Sequence, residues 1–171
     1  MINKKLFLTV GGFDANFFAH MEEIDLCWRL KNLGYKIKYI PTSKVYHVGG
    51  GTLTTQNPHK TYLNYRNNRL MLFKNLDTGQ VLQVNLIRNL LDLLSLVQTL
   101  LKFKFKEAGA IIKAQFAYRK LMLKALEEKQ KYIQIQQKHK IGPPNTKGLY
   151  PKSIVFSFFI RQRKKFANLS W

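Results

Sequence analysis

The sequence predicts an α/β region over residues 1–79, followed by a mostly helical basic extension over residues 80–171. Three observations predict it. A helical pattern at Glu22–Leu33 runs into Tyr35–Ile40, which alternates around lysines as a strand does; Pro41 breaks it, and Val45–Val48 resumes an extended pattern. From Tyr62 to Lys140 there is no proline, and apolar residues recur at helical steps in three long stretches. Charge is uneven: Lys102 to the end carries 17 Lys and Arg against 3 acids, which is +14 of the formal +20.

The chain has 171 residues, enough for one ordinary domain with a core. Hydrophobic residues at 46% and aromatics at 13% argue against disorder. One cysteine excludes an internal disulfide framework and fits a reducing compartment. The apolar run in MINKKLFLTV is too short for a secretory signal.

Residues 2–10 form a short amphipathic helix or strand ending at Gly11. In the Glu22–Leu33 helix, Ile24, Cys27, Trp28 and Lys31 share one side, with Leu26, Leu30 and Leu33 close by. Asp25 and Arg29 form a favourable i,i+4 pair. Gly34 supplies the left-handed stop. Glu22 and Glu23 lie in the first turn, where the helix dipole favours negative charge whatever else they do. Gly49, Gly50 and Gly51 turn the chain or let its backbone pass close to something, and Gly49–Thr55 reads as a flap or a plain linker. Thr52–Lys60 is polar and contains Pro58, which predicts a loop.

Tyr62–Leu76 predicts a helix with Arg66 and Arg69 on one side, ended by Asp77-Thr78-Gly79. Val81–Leu101 is the most apolar stretch and is long enough to cross a bilayer. Its stripe of Asn85, Arg88, Asn89, Asp92, Ser95, Thr99 and Lys102 argues instead for an amphipathic helix at the membrane interface or packed on the domain. Lys102–Lys106 alternates lysine with phenylalanine, Glu107–Lys140 predicts one long helix, and Gly142-Pro143-Pro144 stops it. The apolar Ser153–Ile160 then runs into the basic Arg161–Phe166.

Anionic lipid and nucleic acid both suit this charge. Phe103, Phe105, Phe156, Phe158, Phe159 and Trp171 beside the lysines favour lipid, and no nucleic-acid-binding motif is visible. The expected partner is an anionic membrane surface at the cytoplasmic face, bound peripherally, with no nucleic acid; a merely soluble basic surface is the bland alternative.

One ordered set of motifs carries a resemblance: GGFD at Gly11–Asp14, an aromatic pair, EEIDLCWRL from Glu22, GYKIKYIP from Gly34, and VYHVGGGT from Val45. With Tyr65–Arg69 and Lys74-Asn75 downstream, it resembles the C-terminal half of the catalytic domain of family 2 glycosyltransferases, nearest the rhamnosyltransferase-like branch, over roughly residues 3–76. The resemblance implies a GT-A-like α/β fold, with residues 2–10 helical. It implies inverting transfer from a nucleotide-sugar donor to a saccharide or lipid-linked acceptor in cell-envelope polysaccharide synthesis, with a divalent cation, Mg2+ or Mn2+. Residues 1–79 are then the acceptor side of the catalytic domain, and 80–171 a membrane-associating extension.

By position in that pattern, Glu22-Glu23 matches the family's acidic pair, and Glu23 takes the place of the general base, one methylene longer than the usual Asp. His47 matches a metal-binding histidine. Gly11, Gly12, Phe13 and Asp14 match the acceptor-facing loop, Asp25 and Trp28 stand with them as acceptor-side candidates, and Arg66 and Arg69 approach a phosphate or the membrane. The types suit the chemistry: a sugar hydroxyl needs a carboxylate to take its proton, and a leaving diphosphate needs a cation. Each has a plainer reading. His47 can be a strand histidine, Asp14 a turn cap, Trp28 and Cys27 core, and the arginines a solvated face. No D-x-D motif occurs, so the chain alone is expected to be a fragment that does not transfer sugar. The rival function is a non-enzymatic basic module on membrane or nucleic acid, which has no need of the Gly11–Gly51 set.

Overall fold

The computed structural model describes residues 1–46, 57–150 and 152–169. Among them are six α-helices: α1 (Lys4–Thr9), α2 (Glu22–Asn32), α3 (Pro58–Asn75), α4 (Thr78–Leu101), α5 (Phe105–His139) and α6 (Ile154–Phe159). Short 3-10 turns stand at Ala15–Phe17 and Phe166–Asn168.

The described residues contain no strand, which overturns the expected α/β fold and with it the GT-A-like half-domain. Tyr35–Ile40 is irregular, and residues 36–46 are exposed. Alternation confers only a preference for extended backbone. A strand exists when a neighbour completes its ladder, and here the one hydrogen bond reaching it across the chain is from a side chain, Asn145 Nδ2 to Tyr35 O at 3.0 Å, among the described residues.

The helices start and stop where local chemistry directs. Asn3 caps α1 by accepting from Leu6 N at 3.2 Å. The α2 stop is a paired turn: Gly34 N–H bonds Lys31 O and Tyr35 N–H bonds Leu30 O, each at 3.0 Å, with Gly34 at φ +94. The expected loop through Lys60 ends three residues early, because Asn57 accepts from His59 N at 2.8 Å and Pro58 fits the first helical turn.

Side-chain partners show that α5 runs parallel to α3: Arg69 stacks on Tyr118, and further along Lys129 bonds Phe73 O and Leu76 O. Ala108, Ala110, Ala114 and Ala125 are buried on α5, and such small side chains allow close approach of a neighbouring backbone. Between them in sequence, α4 runs antiparallel to α3, pairing Ser95 with Tyr65 and Asp92 with Arg69. Phe17, Leu70, Met71, Tyr118 and Ala125 form one core, with Met21 and Trp28 against it. Val10, Leu26, Leu30 and Leu33 form a second, between α1 and α2. Burying a side chain as large as Phe17 contributes about 1.5–3 kcal/mol.

The far end of α5 returns to α2. Tyr132 Oη donates to Arg29 O at 2.6 Å, Ile141 N bonds Leu33 O at 3.0 Å, and Asn145 N bonds Lys31 O at 2.8 Å. A Cβ at Gly34 would stand 3.0 Å from Gly142 N, so this contact also requires glycine there.

Candidate functional site

The turn before α2 is held in unusual backbone. Phe18, His20 and Met21 all have positive φ, at 63, 69 and 75°. Such residues cost of order 1–3 kcal/mol each and persist only when the surroundings hold them. The holder is α3. Asn67, fully buried, donates its amide to Phe17 O at 2.9 Å, Ala19 O at 2.8 Å and His20 O at 2.9 Å, two hydrogens serving three carbonyls. Arg66 adds bonds to Asn16 O at 2.9 Å and Phe17 O at 3.0 Å.

Glu22 and Glu23 follow directly as the first residues of α2. Met21 provides no side-chain cap, so the acidic residues face an uncapped, electropositive helix start. Glu23 is exposed. Glu22 Oε2 and the neighbouring His20 Nε2 are shielded from solvent with no hydrogen-bond partner. Neither glutamate forms an ion pair among the described residues.

The other carboxylates of this stretch are tied into the fold. Asp25 is wholly buried, with Oδ2 at 2.9 Å from Arg29 Nε and 3.3 Å from Lys74 Nζ, and Oδ1 at 2.7 Å from Asn75 Nδ2. Arg29 also bonds Val10 O and, at 2.6 Å, Gly12 O. Asp14 caps the first 3-10 turn through Asn16 N at 2.8 Å and pairs with Lys74 at 2.6 Å. Burial pushes the Asp14 carboxyl up, but the Lys74 ammonium and the Asn16 bonds outweigh it and hold it below the ordinary value.

Gly12 is buried at φ +59, where a Cβ would meet the Phe7 ring at 3.1 Å. Phe13 is 55% exposed, edge-on to Phe7. Trp28 packs on the main core and lines a small cavity with Ile24 and Cys27. Burial, then the charge of Glu23, raises the Cys27 thiol. Arg69 is 4% exposed, paired with Asp92 at 3.0 Å and with Asn89. So Glu23 and Phe13 stand towards solvent, Glu22 is half-buried, and Gly12, Asp14, Asp25 and Arg69 are built into the frame beneath. His47 and the Gly49–Gly51 run lie outside the described residues.

The described residues bring no three His, Cys, Asp or Glu side chains together that could hold a divalent cation. Asp14 and Asp25 already have cationic partners, which leaves them unsuited to that work.

Beside the turn, Phe18, His59, Tyr62 and Arg66 form a ladder of ring and cation contacts at 6.4, 5.6 and 5.3 Å. His59 and Tyr62 open onto a cavity of about 950 Å³, whose α5 wall carries Lys106, Lys113 and Lys120 at seven-residue steps. Asn67, Lys74 and Asn75 fall within the motif set, and nothing in their spacing gives them a role. Their amide and ammonium groups are what hold the turn and Asp25, and only long-range contacts reveal this.

Comparison with known proteins finds short local similarity. Residues of this chain are 38% identical over 47 positions to N-acetylglucosaminyl-diphospho-decaprenol L-rhamnosyltransferase of Mycobacterium tuberculosis, covering 28% of this chain and 15% of that protein. Rhamnosyltransferase WbbL of Escherichia coli is 42% identical over 41 positions, covering 24% of this chain and 16% of that protein. The match thus spans about a sixth of the length of these relatives. No family model matches the chain, and no solved structure matches it. The similarity supports a glycosyltransferase-like region in this chain.

Proposed function

We propose that this chain supplies the acceptor side of a family 2, rhamnosyltransferase-like enzyme. The reaction moves a sugar from a nucleotide-sugar donor to a lipid-linked saccharide or glycan at the cytoplasmic face of the cell membrane. One observation carries the reading: of the four acidic residues from Asp14 to Asp25, two are tied to buried cations, and the frame they make with Arg66 and Asn67 leaves Glu22 and Glu23 without an ion pair just after a held turn, with Glu23 exposed.

Glu23 accepts the proton of the acceptor hydroxyl. The hydroxyl oxygen attacks the anomeric carbon, the bond from that carbon to the diphosphate oxygen breaks, and the configuration inverts. Phe13 offers an apolar face to a sugar ring. The Lys106, Lys113 and Lys120 wall suits phosphates of a lipid-linked acceptor. The divalent cation that the resemblance implies has no ligand set among the described residues, and no step here depends on it.

The test compares the chain alone with the chain joined to a nucleotide-binding half, assayed with nucleotide-sugars and lipid-linked acceptors. The chain alone is expected to be silent and the joined enzyme active. Glu23→Gln should then lower turnover by roughly 10²–10⁴-fold with donor affinity little changed. Silence of the joined enzyme, or wild-type turnover in Glu23→Gln with loss in Glu22→Gln, overturns the reading or its assignment of the base.

A further inference from the structure

The α4 helix is turned inside out for a water-soluble protein. Its polar stripe faces the rest of the chain: Asp92 takes Arg69 at 3.0 Å and Gln115 at 2.7 Å, Asn89 meets Arg69, and Ser95 meets Tyr65. Leu82, Leu86, Leu90, Leu93, Val97 and Leu100 are between 42 and 71% exposed. At 100° per residue these six fall within an arc of about 80°, in a strip about 27 Å long. Single exposed leucines are ordinary, but a continuous strip of this length marks a contact surface.

The surroundings identify what covers it. At the end of the strip, Lys102, Lys104 and Lys106 alternate with Phe103 and Phe105, which are 79 and 64% exposed. Aromatic rings and lysines share the headgroup level of a bilayer. The formal charge of +20 attracts an anionic membrane and repels a second copy of the chain. The polar stripe, which in sequence argued against a crossing helix, is sequestered against α3 and α5 and does not oppose lipid contact. Yet α4 is not free to cross. The flanking α5 carries Lys113, Arg119 and Lys120 exposed, and a crossing would draw them into hydrocarbon with it.

We propose that the outer strip of α4 seats in the headgroup–acyl boundary of an anionic bilayer, with the helix axis in the membrane plane and Lys102–Lys106 at its headgroup edge. This does not depend on sugar transfer: vesicle binding can hold where transfer fails.

The test uses the full chain with vesicles of phosphatidylethanolamine and phosphatidylglycerol, and with phosphatidylcholine alone. Binding should be strong to the first, weak to the second, and reduced by salt. Leu86→Glu with Leu93→Glu, both on the exposed strip, should lower partition at least about tenfold with helix content by circular dichroism unchanged. Spin labels at Leu82→Cys, Leu90→Cys and Leu100→Cys, in a Cys27→Ser background, should report one shared shallow depth. A deeper Leu90 label flanked by shallow ends means a crossing helix and overturns the in-plane seat. Unchanged partition in the Glu pair overturns the strip as the contact. A lipid-indifferent dimer in solution that the same pair dissociates assigns the face to a second copy and overturns the proposal.

Discussion

Two buried carboxylates organise this molecule, and they are built differently. At Asp25 both oxygens are hydrogen-bonded, by Arg29 and Lys74 on one side and Asn75 on the other, and the residue is 0% exposed. At Asp92, Oδ2 takes Arg69 and Gln115, but Oδ1 has only Arg88 Nε at 2.9 Å, in a geometry that gives neither atom a hydrogen bond. The first centre joins α2 to α3 and fixes the frame under the acidic turn. The second fastens α4 by its polar face, and so turns the leucines outward. A satisfied centre makes a rigid support. A centre left partly satisfied, with Arg88 28% exposed, has a cation that can return to water.

The comparison breaks most visibly at Asp25. Asp25→Ala leaves Arg29 buried without its anion and Lys74 with Asp14 alone, and should cost about 3–5 kcal/mol in denaturant unfolding. Asp92→Ala should cost less, about 3 kcal/mol, because Arg88 rehydrates; the double variant Arg69→Met with Asp92→Leu should recover most of it. Equal losses at the two sites would erase the distinction drawn between them.

Asn67→Ala tests the frame rather than the ion pairs. It takes the Asn67 donor from the carbonyls of Ala19 and His20, with Phe17 O keeping Arg66, and should cost about 1–3 kcal/mol. The turn should also become more open to hydrogen exchange at residues 17–21 while α5 is unchanged.

The smallest effect is a pH dependence at Asp14. Its folded pKa lies below the unfolded 3.8, so its ion pair with Lys74 contributes stability that is present above 3.8 and lost as pH falls through the lower folded value. Asp14→Asn should flatten the unfolding free energy across that acid window and leave the slope near neutrality alone.

Much of the helical plan was legible in the chain. Periodicity located α2 and α5 nearly to the residue, Gly34 marked its stop, and the Asp25–Arg29 spacing announced a pair that the structure contains. Periodicity misled at Tyr35–Ile40, where an alternating pattern met no neighbouring strand. The acidic pair was legible by motif, but its support was not: Asn67 and Lys74 reach it across 47–60 residues of chain.

What the sequence alone determined is therefore local: where helices begin and end, which residues share a helical face, and how much charge lies in the second half. Each follows from interactions within a few residues, which spacing records. Only the tertiary structure decided which face of α4 points inward, which carboxylates are tied down and which are presented, and that no described strand forms. Those outcomes depend on what lies opposite. Asp92 draws the polar face inward because Arg69 and Gln115 await it there, and Asp25 is buried because Lys74 and Asn75 meet it.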